Sequence, residues 1–147
     1  EGVTTAGSGT RLRTVGADEY NRAYQKVVTG YPYEFKNPNA GKTGTTQNQS
    51  DGWFIGMVPN LVTGVWVGAE DRAIHFEDIA YGQGATMALP IWANYMRNIY
   101  ADTTLMISKQ PFEKPENLNI ELDCNKFVID STGTGKTTDQ EIQDIDF

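Results

Sequence analysis

Two runs rich in aromatic and β-branched residues, Trp53 to Val58 and Leu61 to Gly68, are separated only by Pro59-Asn60. So short a connection between strand-forming runs fits a β-hairpin and little else. Upstream, Asn37-Pro38-Asn39 is a turn signal, and polar Gln47 to Asp51 joins the hairpin to Ala40-Gly41-Lys42-Thr43-Gly44-Thr45-Thr46. That run is small and hydroxyl-rich, with one cation between two glycines. It suits a strand against which a substrate lies. Gly41 and Gly44 would admit another backbone, Lys42 would supply a point charge, and Thr43, Thr45 and Thr46 would supply hydroxyls able to donate to a carboxylate. A glycine- and threonine-rich edge strand or loop with an incidental lysine fits the same seven residues.

Downstream, Leu89, Trp92, Met96 and Ile99 recur at spacings of three, four and three, with Pro90 in the opening turn where its missing donor costs nothing. The spacing predicts a helix over about Thr86 to Tyr100. A shorter amphipathic helix is expected over Ala17 to Val28 from Tyr20, Ala23, Tyr24 and Val27, with Asp18 and Glu19 at its positive end. Residues 1 to 16 read as a helix end running into a loop, and residues 69 to 85 as a solvated connection without periodicity. Beyond Pro111 and Pro115 only Leu118 to Leu122 and Phe127 to Ile129 alternate. From Ser131 glycine, threonine and acids dominate, and a poorly ordered tail is expected. The chain thus divides into an N-terminal segment over 1–39, a core over 40–100 and a C-terminal extension over 101–147.

A chain of 147 residues with 39% hydrophobic content is long enough to bury a core without disulfide staples. Cys124 is the single cysteine and His75 the single histidine, so no metal-ligating cluster is expected. A net charge of −7 argues against a nucleic-acid face. No apolar run reaches the length of a membrane span. A start at Glu1 rather than methionine leads to the expectation of a piece of something longer. Gly135-Lys136-Thr137 mimics the close of a phosphate loop, but Asp130 stands where its first glycine belongs; Gly41-Lys42-Thr43 fails likewise, with Lys36 in that place. His75 amid Glu70, Asp71, Glu77 and Asp78 reads as a solvated loop histidine rather than an acid–base catalyst. Trp53, Trp66 and Trp92 are read as core residues.

Lys42-Thr43-Gly44 matches the third of three motifs shared by penicillin-binding proteins and serine β-lactamases. The continuation is more specific: Thr45-Thr46-Gln47-Asn48, Ser50-Asp51-Gly52-Trp53-Phe54-Ile55-Gly56, Pro59-Asn60-Leu61 and Gly64-Val65-Trp66-Val67-Gly68. That succession resembles the end of the transpeptidase domain of class A, bifunctional penicillin-binding proteins. The likeness continues through Gly82-Gln83-Gly84 and Ala88-Leu89-Pro90-Ile91-Trp92, with an upstream echo in Glu1-Gly2-Val3 and Gly7-Ser8-Gly9-Thr10. The resemblance implies an α+β fold of about three antiparallel strands with a packed C-terminal helix. It also implies that a serine attacks the D-Ala-D-Ala end of a peptidoglycan stem peptide and that the acyl group passes to a neighbouring amine. Lys42 and Thr45 would be catalytic, the Thr45 N–H being one of two oxyanion donors. Thr43, Gly44, Thr45 and Thr46 would bind substrate. No cofactor is implied. β-Lactams are the implied inhibitors of the whole protein, which would work on the periplasmic side of the cytoplasmic membrane, held by a segment outside this chain.

The chain departs from that family in one decisive respect. Three places after Ser8, Ser50, Ser108 and Ser131 stand Arg11, Trp53, Pro111 and Thr134, so there is no Ser-x-x-Lys. Two places after them stand Thr10, Gly52, Gln110 and Gly133, so there is no Ser-x-Asn. The nucleophile is therefore expected outside this chain, and the chain alone is expected to be inactive. A β-lactamase-like hydrolase shares the triplet, and a non-enzymatic cell-surface binding domain would use the threonine strand structurally. By family order the Leu61 to Gly68 strand would lack a neighbour here, which predicts self-association through that edge or an under-covered sheet face.

Overall fold

The computed structural model describes residues 2–13, 30–116, 127–129 and 135–137. Residues 1–113 form one compact unit and 114–147 a second. In the first, β1 (Ala40–Thr45), β2 (Asp51–Val58) and β3 (Leu61–Gly68) form an antiparallel sheet in the order β1-β2-β3. The two-residue connection produces the hairpin as expected, with Val58 opposite Leu61 and Trp53 opposite Trp66. The helix expected from the Leu89 spacing is α4 (Leu89–Ala101), and the fold is the expected α+β arrangement of three strands and a C-terminal helix. In the second unit, β4 (Phe127–Ile129) pairs antiparallel with β5 (Gly135–Thr137). The helix expected over 17–28, the 118–122 stretch and most of the tail from 131 lie outside the described residues.

Burial along β2 alternates strictly, with Gly52, Phe54, Gly56 and Val58 inward. Phe54, Val58, Leu89, Trp92, Ala93 and Met96 form the centre of the core, joined by Leu12 and Tyr33. The Trp92 indole is wedged edge-on to Phe54 and Phe35, with ring centroids 5.2 and 6.2 Å away, and its Nε1–H donates to Thr63 Oγ1 at 2.7 Å. It rests on Gly56, where even a methyl group would overlap the ring. Burying one such side chain contributes roughly 1.5–3 kcal/mol or more, which makes Trp92 the principal clamp between helix and sheet.

Trp53 and Trp66 depart from the expectation of core. They are 44% and 48% exposed, on the opposite face of the sheet, with centroids 6.4 Å apart. Ile55, Met57 and Val62 share that open face and are exposed too. Among the described residues no helix covers it, and none pairs as a strand with the outer side of β3.

The 69–85 connection is exposed from Glu70 through Tyr81, as expected of a solvated link, but it is not wholly irregular. It contains α2 (Ile79–Gly82), capped by the Asp78 carboxylate accepting from the Ala80 N–H at 2.8 Å, and leads straight into α3 (Gly84–Met87). N-terminally, α1 (Gly2–Ala6) and a 3-10 turn (Thr10–Leu12) meet the expectation of a helix end and a loop. The fully buried Thr4 donates to the Asn39 carbonyl at 2.8 Å and ties α1 to the start of β1.

Candidate functional site

The candidate site is the outer edge of β1, which pairs with no strand among the described residues. Thr46 N–H donates inward to the Asp51 carbonyl at 3.1 Å. Alternation along an antiparallel strand then turns the N–H and C=O groups of Thr45 and Thr43 outward. Pairing with β2 sets the faces: Lys42 and Gly44 stand opposite Ile55 and Trp53 on the open face, while Thr43 and Thr45 stand opposite Phe54 and Gly52 on the helix-covered face. The exposed Lys42 curls back to the rim, its Nζ donating to the outward Thr43 carbonyl at 2.7 Å. One edge strand therefore carries a cation, two outward amides and two hydroxyls within the four residues Lys42 to Thr45.

Gly44 packs under the Trp53 side chain, whose Cβ would lie 3.2 Å from a Cβ added at Gly44, so a larger residue there would crowd the tryptophan. Gly41 serves packing rather than access: a side chain there would run into the Phe54 ring and the Ile55 carbonyl. Thr45 Oγ1 accepts the Gly84 N–H at 3.0 Å, which leaves its own hydrogen available to another acceptor. Thr43 Oγ1 lies 2.6 Å from Ser8 Oγ. Thr46 is turned into the β1–β2 turn, where Oγ1 meets Ser50 Oγ at 3.0 Å and accepts the Asp51 N–H at 2.9 Å.

Asp51 anchors that turn. Partial burial pulls its carboxyl upward, but hydrogen bonds from Trp66 Nε1, Ser50 and Thr46, with the Arg72 charge 3.7 Å away, outweigh this and hold it below the ordinary aspartate value. His75 sits in the exposed 70–78 segment, Nδ1 3.1 Å from the Phe76 carbonyl oxygen.

Ser8 and Gly84 are the two contacts to the strand's hydroxyls that sequence reasoning assigned no role. Both lie within stretches quoted for the family resemblance, Gly7 to Thr10 and Gly82 to Gly84, but nothing in their spacing shows that they meet Thr43 and Thr45.

Comparison with known proteins gives a consistent picture. A protein of Aquifex aeolicus named Penicillin-binding protein 1A is 39% identical over 91 residues, which cover 61% of this chain and 12% of the relative. Proteins of the same name from Neisseria meningitidis serogroup A and Neisseria flavescens are 45% and 38% identical over 58 and 73 residues, covering 40% and 49% of this chain and 7% and 9% of those relatives. The chain thus spans about an eighth or less of the length of these relatives. No family model and no solved structure matches it. With a Lys-Thr-Gly edge strand backed by a hairpin and a C-terminal helix, and with these relatives, the chain is a partial match to the C-terminal region of the class A penicillin-binding proteins.

Proposed function

We propose that this chain is the substrate-binding part of a peptidoglycan D,D-transpeptidase, acting with a serine nucleophile carried on sequence outside it. The observation that carries the reading is the rim of β1, where Lys42 Nζ donates to the outward Thr43 carbonyl, next along the strand edge to the outward Thr45 N–H. In this reading Lys42 stabilises the substrate carboxylate and assists proton transfer at the serine. The Thr43 and Thr45 hydroxyls hold the carboxylate, Gly44 leaves room for it, and Thr46 follows the strand at the start of the β1–β2 turn. The Thr45 N–H is one of two oxyanion donors; removing one such donor costs about 2.7–4 kcal/mol of transition-state stabilisation. Stem peptides are the substrates, β-lactams acylate the same serine, and the work is done on the periplasmic side of the membrane. The open β3 edge further supports self-association of the isolated chain through Leu61–Gly68.

The chain alone should form no covalent adduct with a labelled penicillin, because no residue in it carries the nucleophile's motif. Grafted in place of the corresponding C-terminal region of the Aquifex aeolicus relative, it should support acylation. In that graft Lys42→Ala should slow acylation by a factor of about a hundred or more while the melting temperature stays put. A stoichiometric adduct on the isolated chain, or parental acylation by a folded Lys42→Ala graft, would overturn the reading.

A further inference from the structure

We propose that Ser8 is a positioning residue of this carboxylate-binding rim, fixing the direction in which the Thr43 hydroxyl offers its hydrogen. The inference rests on the reading of the β1 edge given above and adds to it a residue from a different element. Ser8 Oγ and Thr43 Oγ1 are 2.6 Å apart although 35 positions separate them in the chain, a short contact for a hydroxyl pair. Ser8 is held in place from both sides. The Gly9 N–H donates to the Val3 carbonyl at 2.9 Å, the Thr10 N–H donates to the Gly7 carbonyl at 3.1 Å, and Leu12, four residues after Ser8, is fully buried. Arg11 extends the attachment by donating to Thr86 Oγ1 in α3, the turn whose Gly84 N–H donates to Thr45.

Each hydroxyl carries one hydrogen, so the Ser8–Thr43 pair uses one between its members and has one left to offer. With Ser8 donating, the remaining hydrogen is on Thr43, on the strand that also carries Lys42 Nζ and the Thr45 hydroxyl. An anion at the rim favours that arrangement, and a donor already accepting a hydrogen bond is the stronger for it. Thr45 is prepared in the same way, by the Gly84 N–H. The two strand hydroxyls are therefore each supported from behind by a donor belonging to a different segment of the chain. Ser8 itself is exposed, so its hydroxyl contributes little to folding.

The test uses the whole 147-residue chain and acetyl-D-Ala-D-Ala as the probe, followed by NMR shifts of the Thr43 and Thr45 amides. Ser8→Ala should weaken binding about tenfold with no change in melting temperature, and Ser8→Thr, which keeps the hydroxyl, should restore it. The C-terminal amide of the same dipeptide should bind weakly and lose its sensitivity to Ser8, because the group being read is the carboxylate. Lys42→Ala separates the two levels of the reading. If Lys42→Ala weakens binding while Ser8→Ala leaves it unchanged, the role of Ser8 is refuted and the β1 rim stands. If the chain gives no carboxylate-dependent shift, or neither substitution alters it, both fall. A Ser8→Ala loss that Ser8→Thr fails to restore also refutes the hydroxyl relay.

Discussion

Replacing Gly56 by alanine should be among the most damaging single-methyl changes in this chain. The added carbon would overlap the Trp92 indole at Cε2 and Cζ2 and lie 2.7 Å from Nε1. That ring has nowhere to retreat: it is 1% exposed, flanked by Phe35 and Phe54, and tethered by Nε1 to Thr63, the residue opposite Gly56 in the β2–β3 register. Overpacking of this kind costs about 1–3 kcal/mol, and the Nε1–Thr63 bond, lost as the indole shifts, adds about 0.5–1.5 kcal/mol. A total near 3 kcal/mol corresponds to a drop in melting temperature of roughly 10 °C for a domain of this size. Urea unfolding followed by tryptophan fluorescence reads it as a lowered midpoint at unchanged slope. Trp92→Phe supplies the control, because the smaller ring leaves the space that the methyl needs. The double variant should be more stable than the sum of the singles by about 0.5–3 kcal/mol. If Gly56→Ala lies within about 0.5 kcal/mol of the parent, or the two changes simply add, the account of Trp92 as the clamp is wrong.

Two further outcomes follow from the sheet's ends and edge. The lowered Asp51 carboxyl contributes stability above the unfolded aspartate value of about 3.9, and that contribution is lost as pH falls through the lower folded value; Asp51→Asn should therefore flatten the acid limb of a stability–pH curve below about pH 4 and leave its shape near neutrality unchanged. An acid limb of unchanged slope would deny Asp51 that role. The β3 edge carries no charge or proline between Leu61 and Gly68, so light scattering should find associated chains, the Val65 to Val67 amides should be protected from hydrogen exchange, and Val62→Lys should shift the population towards monomer. A monomeric parent chain with those amides exchanging freely would refute it.

The hairpin and α4 were legible because local rules dictate them: two residues cannot join two strands in many ways, and an apolar stripe at three and four is hard to satisfy except as a helix. Which side of the sheet is buried was not legible. A vote by hydrophobicity picks Trp53, Ile55 and Met57 over Gly52, Phe54, Gly56 and Val58, yet the glycine-bearing face is the buried one. The reason lies in α4, whose Trp92 needs a surface without side chains on which to rest, and a pattern read within one strand carries no information about its partner. The turns α2 and α3 are four residues each, too short to show a period. At the site, the strand and its lysine were legible as a run, whereas the Ser8 and Gly84 contacts join segments 35 and 39 positions apart, and only the fold brings them together.

The β1 strand divides its chemistry by direction. Lys42 leaves from one face, Thr43 and Thr45 from the other, and the outward amides point along the sheet plane between them. A molecule lying flat on either face would meet only one of these sets. To meet all three it must straddle the strand lengthwise, as an extended backbone does when it adds itself to a sheet. In the reading proposed above, a linear peptide end would reach the outward amides as well as Lys42 and the hydroxyls, while a compact anion of equal charge would meet Lys42 and the hydroxyls and leave the amides to water.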